Sequence, residues 1–532
     1  MKKILLQLII ATTLLSCASN TKHNTLYYKK IQPKDLKKDV SYVQKQLIKM
    51  HPDLNWYITK ENLDYKFDSL KNSIKTPLTA NEFYLKISPI VASVHQGHMN
   101  MSMRTLTVAD SLKKKYKKST NPLEHFEYAY LNNKLYITKN KSKTDSIVQI
   151  GSEVLAINGV SPQYLYTKYR KTLTSDGYNQ TGIPKFFARR INNLYIAELG
   201  FLDSISIDLK CGNEQHKTVV KRKFVTKEQN TSKNTNVKKD TLSKAEQKVI
   251  ALKKAKEDKE LNKRKALYGY DHKNKIYIKE VSYPIINDST TAILKIKDFS
   301  EGQYKVYDTI FSEFKKNNVQ HLIIDLRGNP GGRLNDIYKL SQFLNDSTYQ
   351  FIQPATITNR FTFLNMLKGK STVSTILSAP FVSIFSTIRA IKATKNDQGE
   401  IVYPLKSSKP VEPKINNYKN KIYVITDGMT FSAAAIISSH LKGRNRALFV
   451  GEETGGTYNG TVAGIMPELK LPKSKLGLRV GLMTIKPVEQ NKTEGYGIQP
   501  DIEIKPSIDQ LINNEDPELQ WILNHIKENK QK

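Results

Sequence analysis

Apolar residues recur at helical spacing through the first part of the chain. Thr79 and Glu82 stand three residues apart and form a capping-box pattern at the start of an apolar segment. The pattern predicts helices over 33–92, followed by a break at Gly97 and a short strand. The first helix shows the period most clearly, with apolar residues at positions 36, 40, 43, 47 and 48.

Residues 125–223 alternate between apolar and polar positions, which predicts a β-rich region. Within it, 148–160 is a strand pattern that ends in an Asn-Gly turn, and 163–169 is a helix pattern. The segment resembles the PDZ-domain sequence G-D-x-I-x-x-I-N-G, with Gly151-Ser152-Glu153-Val154 in the first positions. The resemblance implies a module that binds an extended chain by β-augmentation. An Asn-Gly hairpin in another kind of β domain is the alternative.

Strand and helix patterns alternate through 275–515, which predicts a sheet with right-handed crossovers. Helices are predicted between some of the strands, at 303–317, 334–345 and 432–442. The predicted strands are 291–297, 321–326, 421–426, 447–451, 478–485 and 501–504.

Two segments depart from these patterns. Lys and Glu are dense in 226–266, and few residues there are apolar, which predicts a mobile or helical charged insert with a solvated surface. Residues 360–392 are apolar but too interrupted to predict a bilayer span. A lid over a cleft or a contact with a membrane surface fits this segment.

The N-terminus has the organisation of a secretory signal: Met1-Lys2-Lys3, an apolar run over 4–15, then Ser16-Cys17. Leu14-Leu15-Ser16-Cys17 resembles a bacterial lipobox, which implies that Cys17 is lipidated and becomes the mature N-terminus. An ordinary signal peptide with a chance cysteine is the alternative. Ala18 rather than Asp follows the cysteine, which points to the outer membrane.

The net charge of +35, from 84 Lys and Arg against 49 Asp and Glu, raises the possibility of nucleic-acid binding. The excess is lysine spread along an exported chain without zinc-finger spacing or an RNP-like signature, so we expect no nucleic-acid partner. A basic surface that faces anionic lipid or glycan fits better. Cys211 is the single cysteine after Cys17, which excludes an internal disulfide and a cysteine-based zinc site. We expect no metal and no cofactor.

Two segments about a hundred residues apart carry the candidate chemistry. Residues 322–332 and 423–435 are each a buried-strand pattern that runs into small residues. Ser432 lies at the second strand-to-helix junction, where acyl transfer requires a nucleophile. Gly331, Gly332 and Ala433 offer backbone N–H groups for an oxyanion. A helix N-cap serine and a simple Gly-Gly turn are the alternatives.

Four motifs occur in order: 325–332 (Asp-Leu-Arg-Gly-Asn-Pro-Gly-Gly), 430–434 (Thr-Phe-Ser-Ala-Ala), 450–456 (Val-Gly-Glu-Glu-Thr-Gly-Gly) and 497–501 (Gly-Ile-Gln-Pro-Asp). Together they resemble the tail-specific, C-terminal processing serine peptidases. The resemblance covers residues 275–510 and implies a ClpP/crotonase-like α/β core, often joined to a PDZ domain. It also implies that Ser432 is the nucleophile. The family includes the processing proteases, the tricorn core protease and a retinoid-binding branch.

The base implied by the resemblance is a histidine. The processing branch uses a lysine in the segment that corresponds to 451–460, and that segment contains no lysine. Gln96-Gly97-His98-Met99 is similar to the histidine element of the tricorn-like branch, and the segment 494–501 is similar to its glutamate element. His98 would then be the general base and Glu494 would orient it. The alternatives are His95, His51 and His440 for the base, and Glu452 and Glu453 for the third member.

The sequence therefore predicts a lipid-anchored serine endopeptidase of the cell envelope that acts near C-terminal tails of polypeptides through an acyl-enzyme. The alternative is a non-catalytic protein that binds peptide or apolar ligands on the same core. The oligomeric state is left open. The predicted divisions are a signal peptide at 1–17, a tether at 18–32, an N-terminal helical domain at 33–112, a PDZ-like domain at 113–225, a charged insert at 226–270, the peptidase core at 271–515 and a C-terminal helix at 516–532.

Overall fold

The computed structural model describes residues 27–106, 110–142, 148–224, 244–300 and 302–530. These residues form N-terminal helices, an antiparallel five-stranded sheet and a mostly parallel six-stranded sheet. This arrangement confirms the predicted α/β fold class. The predicted signal peptide at 1–17, including Cys17, and the first part of the tether lie outside the described residues.

Three amphipathic helices, Pro33–Met50, Lys60–Ser73 and Ala80–Ala92, form the N-terminal part. The predicted capping box begins the third of them: Glu82 N–H donates to Thr79 Oγ1 (3.2 Å), and Thr79 N–H donates to Glu82 Oε2 (2.7 Å). The strand Asn100–Ser102 follows and pairs with Gly477–Arg479. This pairing joins the end of the N-terminal helices to the core of the molecule.

The β-rich part is one antiparallel sheet in which each strand pairs with the next along the chain. Its strands are Phe126–Leu131, Lys134–Asn140, Glu153–Ile157, Ser204–Cys211 and Glu214–Lys221, and its helices are Pro162–Tyr169 and Gly182–Leu199. Asn158 and Gly159 both have positive φ, as the predicted Asn-Gly turn requires. A short helix and strand pair border this part, at Asp110–Lys117 and at Ser119–Thr120 with Lys223–Phe224.

The six-stranded sheet forms the centre of the core. Its order is Lys279–Ser282, Thr291–Ile296, His321–Asp325, Lys421–Thr426, Ala447–Gly451 and Ile502–Glu503, and all neighbours after the first pair are parallel. The crossover helices are Val306–Lys316, Leu334–Leu344 and Ala433–Gly443, close to the predicted bounds. Because parallel strands end at the same edge, the turns after Asp325 and Thr426 meet there.

The predicted strand 478–485 is wrong as a single element. The chain instead forms Gly477–Arg479 and Met483–Ile485, which belong to different sheets. Gly481 lies between them, and a Cβ there would stand 2.6 Å from the carbonyl oxygen of Val462, so the chain bends where only glycine fits.

The remaining strands are short. Gly477–Arg479 forms a three-stranded sheet with Asn100–Ser102 and Glu468–Lys470. A five-stranded sheet contains Thr394–Lys395, Ile401–Tyr403, Ala355–Ile357, Met483–Ile485 and Thr461–Ala463. Two further pairs are Tyr270–Asp271 with Ile276–Tyr277 and Tyr349–Gln350 with Pro410–Val411. The chain ends in the helices Ile508–Ile512 and Pro517–Lys530, and the second packs Ile522 and Ile526 against the six-stranded sheet.

The two inserts are helical where they are described. Lys244–Tyr268 is a helix with mostly exposed side chains, as expected of a solvated charged segment. Thr372–Lys392 is a continuous helix of 21 residues that includes Pro380, preceded by the 3-10 turn Thr362–Leu367. Among the described residues it is the one helix long and apolar enough, by length and composition, to cross a membrane. The expected interruption of this segment is therefore absent.

Candidate active site

Ser432 lies at the edge where the two central strands end. Thr430 Oγ1 donates to the carbonyl oxygen of Leu326 (2.9 Å), and Phe431 N–H donates to that of Asn329 (3.0 Å), so the two strand ends are tied together. Ser432 has φ 55° and ψ −122°, a strained conformation for a residue with a side chain. Its side chain makes no capping hydrogen bond to the helix Ala433–Gly443 and lines a cavity. The Ser432 side chain therefore does not cap the helix, and Ser432 is the candidate nucleophile.

The glycine turn lies against Ser432. Gly331 has φ 97°, and a Cβ on it would stand 2.7 Å from Ala433 N and from Ser432 Cβ. Its own N–H donates to Asn329 Oδ1 (2.8 Å). Among the described residues, no hydrogen bond takes up the N–H groups of Gly332 and Ala433. Gly332 and Ala433 are therefore the available oxyanion donors. The prediction also includes the N–H of Gly331. That N–H is taken up by Asn329, and the missing side chain at Gly331 leaves room for Ser432 and Ala433.

His98 lines the same cavity as Ser432. Its ring stacks on Phe431, with 4.9 Å between the ring centroids, and its Nδ1 lies 3.2 Å from Thr461 Oγ1. Burial, reinforced by the charge of Arg479, lowers the pKa of His98 to about 4. The imidazole is therefore neutral near pH 7, the form that a general base requires. If Nδ1–H donates to Thr461, Nε2 is the proton acceptor.

His98 and Ser432 share a cavity of about 730 Å³, but no hydrogen bond joins them among the described contacts. Catalytic hydrogen bonds of this kind often tighten only around a bound substrate. The arrangement therefore brings together a candidate base and a candidate nucleophile, with donors for an oxyanion beside them.

Asp176 is a carboxylate at the site that the sequence did not single out. It is buried, and its Oδ1 accepts a hydrogen bond from Gly97 N–H (2.7 Å), directly before His98. Burial raises the pKa of Asp176 to about 7, against the lowering effects of Gly97 N–H and the Thr461 hydroxyl. Thr461 thus faces both Asp176 and His98. Asp176 lies in a loop of the β-rich part, and no local motif marks it.

Glu494 lies elsewhere in this structure. Its Oε2 accepts a hydrogen bond from Trp56 Nε1 (3.2 Å), and among the described contacts it has no hydrogen bond to His98. The next residue, Gly495, is held by Tyr178 N–H, which donates to its carbonyl oxygen (2.7 Å). The predicted pairing of Glu494 with His98 is therefore not formed here, because the loop is fastened with this side chain directed to Trp56.

The alternative residues also have other partners. Glu452 Oε1 accepts a hydrogen bond from Lys185 Nζ (2.9 Å), and Glu453 Oε1 accepts one from Gly497 N–H (2.8 Å). His440 is buried between Glu489 and Asn345. The last two candidates do not line the cavity. His95 packs on Tyr178, and His51 is buried under the N-terminal helices.

The cavity is basic. Its lining includes Arg190, Arg333, Arg389 and Arg479, and no Asp or Glu among the described residues lines it. Neither Arg190 nor Arg479 forms an ion pair with a described carboxylate, and Arg479 Nη2 donates to Met466 Sδ (3.4 Å). Apolar side chains make up much of the remaining wall. An extended polypeptide with a carboxylate group suits such a cleft.

Comparisons with known proteins give one family match and several similar folds. Residues 290–504 match the model of peptidase family S41. The fold is similar to that of mature CPAF, with a TM-score of 0.56 at 15% sequence identity over 91% of this chain and 98% of that one. The complex of mature CPAF with lactacystin gives 0.57 at 14%, over 93% and 98%. The photosystem II D1 C-terminal processing protease gives 0.41 at 12%, over 88% and 93%. No curated protein matches the chain in sequence.

Proposed function

We propose that this chain is a serine endopeptidase of the cell envelope, with Ser432 as nucleophile and His98 as base. The match of residues 290–504 to the model of peptidase family S41 supports this proposal. The observation that carries this proposal is the strained Ser432 beside two free backbone donors, in one cavity with a neutral histidine. Each group matches a step of acyl transfer.

In the proposed reaction, Ser432 Oγ attacks the carbonyl carbon of the scissile peptide bond, and His98 Nε2 takes the serine proton. The N–H groups of Gly332 and Ala433 stabilise the oxyanion. His98 then gives the proton to the leaving amine as the C–N bond breaks. Water attacks the acyl-enzyme in the same way and releases the acid and free Ser432.

Asp176 is proposed to act through Thr461 on His98. In this arrangement, Nδ1–H donates to Thr461 Oγ1, and the Thr461 hydroxyl lies near the Asp176 carboxylate, whose Oδ2 has no hydrogen-bond partner among the described residues. A negative charge there stabilises the imidazolium that forms in the transition state. Asp176 is thus a positioning residue, and Glu494 of the tricorn-like pattern is the rival for this role.

The proposed substrates are polypeptides cut near their C-terminal tails. Arg190 and Arg479 line the cleft without an ion pair to a described carboxylate, which supports a role for them in binding the terminal carboxylate of the substrate. The PDZ-like sheet would present the tail by adding it as a strand. We further propose that Cys17 carries a lipid that holds the enzyme at the outer membrane, on the basis of the lipobox-like sequence.

The test is labelling with a fluorophosphonate probe, which reacts with an activated serine. We expect wild type to be labelled and Ser432→Ala to be unlabelled. Ser438→Ala is the matched control, because Ser438 is a buried serine of the same helix whose hydroxyl donates to the carbonyl oxygen of Ala434. That variant should label like wild type.

His98→Ala should lower the labelling rate by at least about a hundredfold, because the serine loses its base. An unlabelled wild-type protein that still binds tail peptides would overturn the proposal and favour the non-catalytic binding protein built on the same core.

A further inference from the structure

The helix Thr372–Lys392, hereafter the apolar helix, exposes a continuous stripe of large apolar side chains. At 100° per residue the members lie within about 140° of one another around the helix axis. Each is more than half exposed: Val373 68%, Ile376 67%, Leu377 69%, Phe381 76%, Ile384 62%, Ile388 51% and Ile391 76%. A stripe of this size on a water-soluble surface marks a contact with another apolar phase.

The other face of the apolar helix is fastened to the protein. Val382, Ser386 and Ala390 are buried at four-residue spacing. Arg389 lies over the rings of Phe363, Phe385 and Tyr403, at 5.0, 4.1 and 4.9 Å from their centroids. Held along its second half in this way, the helix lies on the protein and presents only its outer face to a neighbouring surface.

The charges around the stripe indicate what kind of surface the apolar helix contacts. The segment 361–396 contains no Asp or Glu, and its exposed basic residues are Lys370, Lys392 and Lys395; the next acidic residue is Asp397. In a symmetric contact between two copies these cations would meet one another without acidic partners, which costs free energy. Anionic lipid headgroups would neutralise them instead.

We propose that the apolar helix docks in the plane of an anionic phospholipid membrane, with its stripe among the acyl chains and its lysines at the headgroups. This inference is independent of the lipid on Cys17 and adds a second point of attachment.

Docking would also orient the active site, a consequence that rests on the proposed function. Arg389, on the inner side of the apolar helix, lines the cavity that contains Ser432. With the outer face in the membrane, the cleft would open close to the lipid surface. The favoured substrates are then polypeptide tails that are themselves tethered to or emerging from the membrane.

The experiment is vesicle co-sedimentation of the chain from Ala18 to Lys532, which contains every described element but not the predicted lipidation site. Vesicles of phosphatidylcholine alone are compared with vesicles rich in phosphatidylglycerol. We expect wild type to bind the anionic vesicles more tightly. The variant Leu377→Ser, Phe381→Ser, Ile384→Ser should bind them at least about tenfold more weakly, because three inserted side chains are lost.

The matched control is Val249→Ser, Ile250→Ser, Leu252→Ser, which removes three exposed apolar residues from the charged helix Lys244–Tyr268. It should bind like wild type. Lys370→Gln, Lys392→Gln, Lys395→Gln should remove the preference for anionic lipid and leave weak binding to both vesicles. Thermal unfolding should change little in all three variants, since the altered residues are exposed and each substitution costs at most about 0.5 kcal/mol.

Ser432→Ala should bind vesicles like wild type, so that a failure of the peptidase proposal does not affect this test. Equal binding of wild type and the Leu377, Phe381 and Ile384 variant would overturn the inference, as would a wild type that binds no vesicles. A wild-type dimer in ultracentrifugation that the same variant converts to a monomer, without vesicle binding, would assign the stripe to a second copy instead.

Discussion

Two carboxylates compete for the role of orienting His98. Asp176 is held close to the histidine, because Gly97 N–H donates to it. A Cβ at Gly97 would overlap with the Phe431 ring and stand only 3.2 Å from Asp176 Oδ1, so the close approach requires glycine. Glu494 approaches from the opposite loop but is bound to Trp56. The geometry favours Asp176, whereas the family motif favours Glu494.

The variant Asp176→Asn tests whether the charge of Asp176 is the one that supports His98. The amide oxygen can still accept from Gly97 N–H, so the loop is kept and only the charge is lost. Because the pKa of Asp176 is raised to about 7, its carboxyl group is neutral below that pH and charged above it. Fluorophosphonate labelling of wild type should therefore rise with a midpoint near pH 7. The variant should lack this rise and react about tenfold to a hundredfold more slowly at alkaline pH.

Glu494→Gln is the companion measurement. If Asp176 orients His98, this variant should label at nearly the wild-type rate with the same pH profile. Loss of labelling in Glu494→Gln together with normal labelling in Asp176→Asn would return the role to Glu494 and imply that its loop leaves Trp56 during catalysis.

At the scale of elements, the parts of the site that local patterns determine were predictable. The strand-to-helix junction at Ser432 and the Gly97 break before His98 follow from apolar runs that end in small residues. The loss of the Gly331 donor could also have been anticipated, since an asparagine two residues earlier often bonds the backbone of its own turn. Asp176 could not be found, because it reaches the site only through the docking of the β-rich part.

The arginines of the cleft also come from separate elements, which allows their role to be tested one at a time. Arg190 lies on the helix Gly182–Leu199 and Arg479 on the strand Gly477–Arg479. If they bind a terminal carboxylate, Arg190→Gln and Arg479→Gln should each raise KM for a peptide with a free C-terminus by about tenfold and change kcat little.

The control for this prediction is Arg189→Gln, an exposed neighbour of Arg190 that does not line the cavity. It should leave KM unchanged. An amidated peptide should bind wild type as weakly as the free-tail peptide binds the arginine variants. Equal KM values for the free and amidated peptides in wild type would show that the cleft does not recognise the terminal carboxylate.

For the whole molecule, the positive charge contrasts with one strongly apolar helix. Much of the lysine lies on exposed helices, above all Lys244–Tyr268, where it keeps the surface hydrated. The concentration of apolar exposure in the apolar helix contrasts with this surface. The molecule thus combines a solvated basic body with one face suited to lipid, and the catalytic cleft lies next to that face.

The pH dependence of stability is a property of the whole fold, and His51 should dominate its acid side. His51 is 2% exposed at the end of the helix Pro33–Met50, and neither of its ring nitrogens has a hydrogen-bond partner in the described structure. Burial lowers its pKa from 6.5 to about 3. The unfolded chain therefore takes up a proton at this residue as the pH falls below 6.5, while the folded protein does not.

The contribution of His51 to stability is complete above pH 6.5 and is lost as the pH falls toward 3. Over the first two pH units this loss amounts to about 2–3 kcal/mol of unfolding free energy. The pKa of His98 is lowered and acts in the same direction, whereas that of Asp176 is raised and opposes both. Urea unfolding at neutral and acidic pH should show a fall in the wild-type midpoint that is clearly smaller in His51→Leu, with the remainder due to groups such as His98 and His440. His216→Leu, at an exposed strand position, is the control and should keep the wild-type fall. A fall of equal size in His51→Leu would mean that the histidine is solvated or paired in solution, contrary to its position beneath the N-terminal helices.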